Sequence, residues 1–303
     1  MKKPPYNPLI AVVIGVISVS TAAVLVKLAD SASASIIANY RLLIAVVLMT
    51  PYVLLKNRDE FKHINRNDWG LSILSGVFLA FHFIFWFESL NYTSVASSVV
   101  LVTLQPIFAF LGTFLLFKER ASSAAIISMI IALSGSFVIS WGDFRLDGMA
   151  LFGDLLALIG AIMITIYFLV GQHVRKRLSL MTYTFIVYGA SSITLIIYNL
   201  ILNHPFTGYP LNDWLIFLAL AIIPTFLGHT LFNWAIKWLS TSVISMSILF
   251  EPVGASILAY FILGEQITPT QWLGGTIVLM GLCLFIISTS RKRKITLTEH
   301  QKQ

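Results

Sequence analysis

The chain has 303 residues, of which 57% are hydrophobic and only 11% charged, with a formal net charge of +7 and a mean hydropathy of +0.87. Soluble domains carry about 45–50% apolar and about 25% charged residues, so a soluble fold is excluded. One cysteine, Cys283, excludes an intrachain disulfide, a cysteine-rich metal site or a redox pair, and no Gly-x-x-x-x-Gly-Lys-Ser/Thr loop offers the phosphate cradle of an ATP motor.

Ten mostly apolar runs follow in chain order, at about 9–29, 35–55, 69–89, 94–117, 122–141, 151–172, 182–202, 213–236, 241–263 and 269–288. Each is long enough to cross a hydrocarbon slab of ~30 Å. Barrel strands would alternate polar with apolar residues and isolated strands leave their backbone unpaired in lipid, so the runs read as helices of an all-α integral membrane protein. Lys2 and Lys3 before the first run, with Ala32-Ser33-Ala34 after it, resemble a signal peptide. The run from Leu9 to Val26 is longer than a signal core, however, and it reads as a retained span.

The connections are short, and their charges orient the chain. Of the 20 lysines and arginines, 17 fall in the termini and loops on one side, only Arg145 on the other, and Lys27 and Arg41 within spans. That asymmetry predicts both termini and the loop 56–68 in the cytoplasm, with 143–147 and 203–213 outside. The positive charge therefore reflects the membrane surface, to which Arg291-Lys292-Arg293-Lys294 also belongs, and no basic segment interleaved with stacking aromatics points to nucleic acid.

Two stretches echo one another. Leu104 to Arg120 reads LQPIFAFLGTFLLFKER and Phe250 to Ile267 reads FEPVGASILAYFILGEQI, and an offset of 146 superimposes Pro106 on Pro252, Glu119 on Glu265 and Gly135 on Gly281. The chain thus divides into a first repeat, 9–141, a second, 151–288, and a basic tail, 289–303. Five spans per copy is an odd number, so the copies have inverted topology, the construction of secondary transporters that work by alternating access.

Polar groups at depth supply the candidate site. Gln105 lies ~16 Å and Glu251 ~15 Å from the ends at which their helices begin, near the midplane. Each precedes a proline that frees a carbonyl one turn earlier, on Val102 and Ile248. They read either as the lining of a substrate chamber or as a kink-stabilising carboxyl and an interhelical amide. Equivalent spans 3 and 8 carry His82 with Trp86, and His229 with Asn233, each pair sharing a helical face at i, i+4. An aromatic wall with few polar anchors suits an amphipathic small-molecule solute, although a lone histidine also serves as an interhelical hydrogen bond. Toward the outer face, Lys27, Arg41, Glu88 and Asp154 balance in charge and read as an ion-pair cluster, or as a vestibule with Arg41 as a carboxylate fork. Glu119 and Glu265 fall at helix ends as caps or loop anchors, and the hydroxyl-rich entries 93–98 and 240–245 read as packing surfaces where spans 4 and 9 cross.

These residues resemble the drug/metabolite transporter superfamily, in its ten-helix branch with two EamA repeats. The resemblance rests on Leu104-Gln105-Pro106 through Lys118-Glu119-Arg120, Phe250-Glu251-Pro252 through Gly264-Glu265, the glycines Gly274, Gly275 and Gly281, Gly153-Asp154, and Arg41. It implies a bacterial plasma-membrane carrier of metabolites, often amino acids, that exports or imports without ATP and holds no cofactor. Its cavity would lie among spans 1, 3, 4, 6, 8 and 9. The four-helix multidrug branch couples to protons through a carboxylate in its first helix, which is missing between Leu9 and Val26. Proton coupling, if present, falls to Glu251 and then Glu88. A membrane-embedded enzyme or a sensor is the alternative, but no nucleophile, metal or base constellation and no output domain supports either.

Overall fold

A computed structural model describes residues 4–93, 95–141 and 148–300, with side chains omitted at 95, 96 and 290–300. Lys2, Lys3, Ser94, the loop 142–147 with Arg145, and Lys302 lie outside the described residues, as do the side chains of Arg291 to Lys294. Among the described residues there is no strand, and ten helices are long and apolar enough to cross a membrane: α1 (Pro8–Leu28), α2 (Ala34–Lys62), α3 (Arg66–Ser89), α4 (Ser97–Phe117), α5 (Ser123–Ser140), α6 (Gly148–Val174), α7 (Leu180–Ile201), α8 (Leu211–Ala235), α9 (Thr241–Leu263) and α10 (Pro269–Thr289). Helix α10 continues without a break to His300.

One end of the bundle is basic and tightly tied. The Glu60 carboxylate accepts from the Ser179 backbone N–H at 2.7 Å and from the Thr182 hydroxyl at 2.5 Å, and Asp68 receives the Arg177 guanidinium in a forked contact of 2.5–3.0 Å. Here Asp68 holds Arg177 above its ordinary pKa, and burial lowers the neighbouring Arg175, whose Nε donates to the Asn233 carbonyl, to about 10. At the far end Tyr40 donates to the Phe206 carbonyl, and the rings of Tyr40, Trp214 and Phe217 pack together at 4.7–5.6 Å.

The first helix of each repeat packs into the other repeat's half: α1 lies along α8, and α6 runs along α3. Small residues allow the approach. A Cβ at Gly15 would come within 2.5 Å of the Phe232 ring, and α6 passes the α3 backbone at Gly160. The last helices of the two repeats, α5 and α10, meet backbone to backbone, and a Cβ at Gly135 would stand 2.6 Å from the Gly274 carbonyl oxygen. In lipid the association of helices rests on such packing rather than on hydrophobic burial. Gly135→Leu is therefore expected to cost at least about 1–3 kcal/mol through overpacking. It should yield aggregated protein on size-exclusion chromatography in detergent, whereas Gly189→Leu, with nothing within 4 Å of its Cβ, should run as wild type.

Three helices are irregular where the site forms. Helix α4 breaks at Thr103 and Leu104 and restarts at Gln105 with Pro106 in the first turn, while α9 breaks at Leu249 and Phe250 and restarts at Glu251 with Pro252. A proline has no N–H to donate and is tolerated at the start of a helix, so each proline separates two half-helices. In α8, Pro224 sits in a stretch of i→i+5 helix over Ala221–Thr230, and the Thr225 hydroxyl returns to the Leu220 carbonyl at 2.8 Å.

Candidate functional site

The two broken helices converge on a central cavity. Its polar lining is Arg41 from α2, His82 and Trp86 from α3, Gln105 from α4, His229 from α8 and Glu251 from α9, with Phe168 and Phe232 on the apolar side. The free space is ≈ 20 Å³, room for roughly one water. All of its lining residues are buried.

Each anchor is held from behind. The Arg41 side chain is fully buried, its Nε donates to Thr225 Oγ1 at 2.7 Å, and its guanidinium lies over the Phe83 ring at 4.5 Å. Its two terminal nitrogens have no hydrogen-bond partner among the described residues. His82 Nδ1 stands 3.0 Å from the Gly160 carbonyl, which pins α3 to α6, and its ring stacks on Trp86 at 5.5 Å. His229 stacks on Phe168 at 6.3 Å and meets the edge of Phe83 at 5.7 Å. Glu251, at the N-terminus of its half-helix, shares the cavity with Arg41, and the two attract electrostatically although no ion pair joins them. Arg41 Nη1 and Nη2, Trp86 Nε1, His229 Nδ1 and Gln105 Oε1 are all buried without a hydrogen-bond partner among the described residues. Buried polar atoms are nearly always satisfied, so five such atoms around one cavity set it apart as the candidate site.

Five of the six chamber candidates from the sequence, Gln105, Glu251, His82, His229 and Trp86, therefore meet. Asn233 does not reach the cavity. Its amide donates to the Tyr167 hydroxyl and back to the His229 carbonyl at 2.8 Å, which folds it behind the histidine.

The four outer charges do not form one cluster. Arg41 faces the central cavity; Lys27 pairs with Glu265 at 2.8 Å; Asp154 accepts from Thr93 and Ser97 at 2.8 and 2.9 Å; and Glu88 is half-buried beside Tyr198. The reason is azimuth. Depth along α2 fixes how far Arg41 lies from the surface but not which way it points, and with apolar residues all around that helix no stripe marks its inner face. Its isolation as a cation within an apolar span was the signal available.

Glu119 and Glu265 reach across the repeats. Gln172 donates its side-chain amide to Glu119 at 2.8 Å and accepts from the Thr241 N–H at 2.7 Å. Of the hydroxyl-rich entries, the second meets α4 through Ser242 and Thr113 at 2.9 Å, whereas the first turns to other helices: Thr93 and Ser97 donate to Asp154 of α6, and Ser98 meets Ser89 of α3 at 2.5 Å.

Comparison with known proteins agrees with this architecture. The family model described as the EamA-like transporter family matches residues 7–141 and 151–287. An uncharacterized transporter of Archaeoglobus fulgidus is 23% identical, covering 90% of this chain and 94% of its own length. The uncharacterized transporter YxxF of Bacillus subtilis is 26% identical over 77% of this chain and 74% of its own. A solved crystal structure superimposes with a TM-score of 0.77 at 17% identity, covering 94% of this chain and 98% of the other, and shares the fold.

Proposed function

From the premise that the chain belongs to the EamA-like transporter family, and is thus a multi-pass membrane transporter, we propose that it exports small zwitterionic metabolites, amino acids or close relatives, across a bacterial plasma membrane by alternating access. The observation that carries the reading is the convergence of unpaired polar groups from both repeats on one buried cavity. Arg41, with Trp86 Nε1 beside it, offers the planar donor fork that a carboxylate takes. Glu251 offers the counter-charge for an ammonium. Phe168 and Phe232 supply the apolar wall. Glu251 is also the group through which a proton would couple to the solute.

Purified protein in liposomes tests the reading. Accumulation of labelled amino acid without chemical change supports transport, and appearance of a product would support the enzyme alternative. Direction and substrate are read together by a resistance screen with toxic amino-acid analogues, in which a deletion strain should be more sensitive and an overexpressing strain more resistant. Import would reverse both signs.

The proposed orientation places the basic end in the cytoplasm. In a Cys283→Ala background, a single cysteine at Asn203 should react with an impermeant maleimide in intact cells, and one at Lys56 only after lysis. Labelling of the Lys56 position in intact cells would overturn the orientation.

A further inference from the structure

Of the cavities beyond the central one, two lie one at each end of the bundle, and they correspond to one another through the repeat. The far-end vestibule is ≈ 230 Å³ and the basic-end vestibule ≈ 270 Å³. The 146-residue offset that relates the repeats carries Thr113, Glu119 and Ala125 of the basic-end vestibule onto Ala259, Glu265 and Gln271 of the far-end one. The wall opposite corresponds in reverse, with Phe285 at the basic end and Ile139 at the far end.

Each vestibule holds its glutamate in the same way. Helix α4 ends at Lys118 in the left-handed region (φ 58°), and the Glu119 N–H returns to the Thr113 carbonyl at 3.2 Å. Helix α9 ends at Gly264 (φ 70°), and the Glu265 N–H returns to the Ala259 carbonyl at 3.3 Å. This helix-ending turn aims each carboxylate at the first helix of the other repeat. Glu119 takes the Gln172 amide of α6, and Glu265 takes the Lys27 ammonium of α1, both at 2.8 Å.

We propose that Gln172–Glu119 and Lys27–Glu265 are the two gates of the transport cycle, released in alternation. The inference rests on the transport reading above. Each gate closes the free end of a half-helix whose opposite end is a residue of the central cavity: Gln105 begins the half that ends beside Glu119, and Glu251 begins the half that ends beside Glu265. Opening a gate therefore moves one cavity residue with it, about the breaks at 103–104 and 249–250. Both gates are shut in this conformation. The far-end vestibule reaches down to Pro252, next to Glu251, so the far-end gate is the one that moves the acid.

The gates are chemically unequal. Lys27 and Glu265 are 40% and 51% exposed, so their attraction is screened by salt, whereas Gln172 is buried and neutral. High ionic strength should loosen the far-end gate selectively.

The test reads vestibule accessibility without any solute. In the Cys283→Ala background, single cysteines at Ala259 and at Ala125 report the far-end and basic-end vestibules through their rates of maleimide labelling in proteoliposomes. Glu265→Gln should raise labelling at the Ala259 position and lower it at the Ala125 position, changing their ratio by about two- to five-fold, the population shift an exposed ion pair supports. Gln172→Ala should shift the ratio the opposite way. Raising salt from 50 mM to 500 mM should act on the unmutated gates like Glu265→Gln, which keeps the test open if a gate variant does not fold. The exchange Lys27→Glu with Glu265→Lys should return the ratio to its starting value. Changes of the same sign in both vestibules, or none on either salt or mutation, would overturn the gates. Reciprocal labelling in protein that carries no solute would leave the gates standing and sink the transport reading, and flux without reciprocity would do the reverse.

Discussion

Replacing Arg41 by lysine is expected to weaken transport of a free amino acid by about ten- to a hundred-fold in kcat/KM while leaving its methyl ester nearly unaffected. Hydrogen bonds to charged groups contribute about 1.5–3 kcal/mol each, which sets the size of the effect. Lysine keeps the charge but presents a point donor in place of a planar fork, so the discrimination against the ester should disappear with the affinity. Among the described residues both terminal nitrogens of Arg41 lack a partner, and no acidic side chain forms an ion pair with it. Lysine keeps the positive charge that faces Glu251, and neither Glu88 nor Asp154 loses a partner, so folded yield should stay close to wild type. Uptake of a panel of labelled neutral amino acids and their methyl esters, measured in liposomes at fixed protein orientation, separates the roles. An equal loss for acid and ester would assign Arg41 to packing against Phe83 and Thr225 alone.

Much of the architecture is written in the chain because lipid leaves few choices. Ten runs of about 20 apolar residues admit only ten helices, and an offset of 146 that aligns two prolines and two glutamates exposes the duplication directly. The site is half legible for the same reason. Gln105 and Glu251 announce themselves because each is polar, deep and next to a proline, and the helices break where the prolines stand. Whatever depends on rotation about a helix axis is not legible. Arg41 and Lys27 looked like one outer cluster, yet one turns to the centre and the other to Glu265. Asn233 shares a helical face with His229 by spacing, but its amide is captured by Tyr167 and the His229 carbonyl. The glutamates at the ends of α4 and α9 read as caps because helix ends are where carboxylates are cheap. Only the exchange of first helices between repeats, a matter of packing with no local signature, turns those caps into contacts across the molecule.

Glu251→Gln is expected to insert and fold like wild type, to lose about ten- to a hundred-fold in turnover of a zwitterionic solute, and to lose the pH dependence of what remains. The fold already accommodates this substitution, because the equivalent position in the first repeat, one residue before Pro106, is Gln105 at similar burial. What the variant lacks is charge. The carboxylate sits in the first turn of a half-helix, where backbone N–H groups favour an anion, and it faces Arg41 across a cavity too small for the two to be bridged by more than about one water. In the proposed function an ammonium entering that space would become the partner of Glu251, at the strength of a charge-assisted hydrogen bond, about 1.5–3 kcal/mol. In the proposed cycle a proton would occupy the same carboxylate once the solute has left, and would return with the empty carrier. With glutamine neither exchange occurs, so flux should be slow and flat with pH. Comparing wild type and variant from pH 5.5 to 8.5 in liposomes, with circular dichroism to verify helix content, decides the matter. A variant that carries the solute at the wild-type rate with the wild-type pH profile would return Glu251 to the role of a residue that stabilises the break in α9.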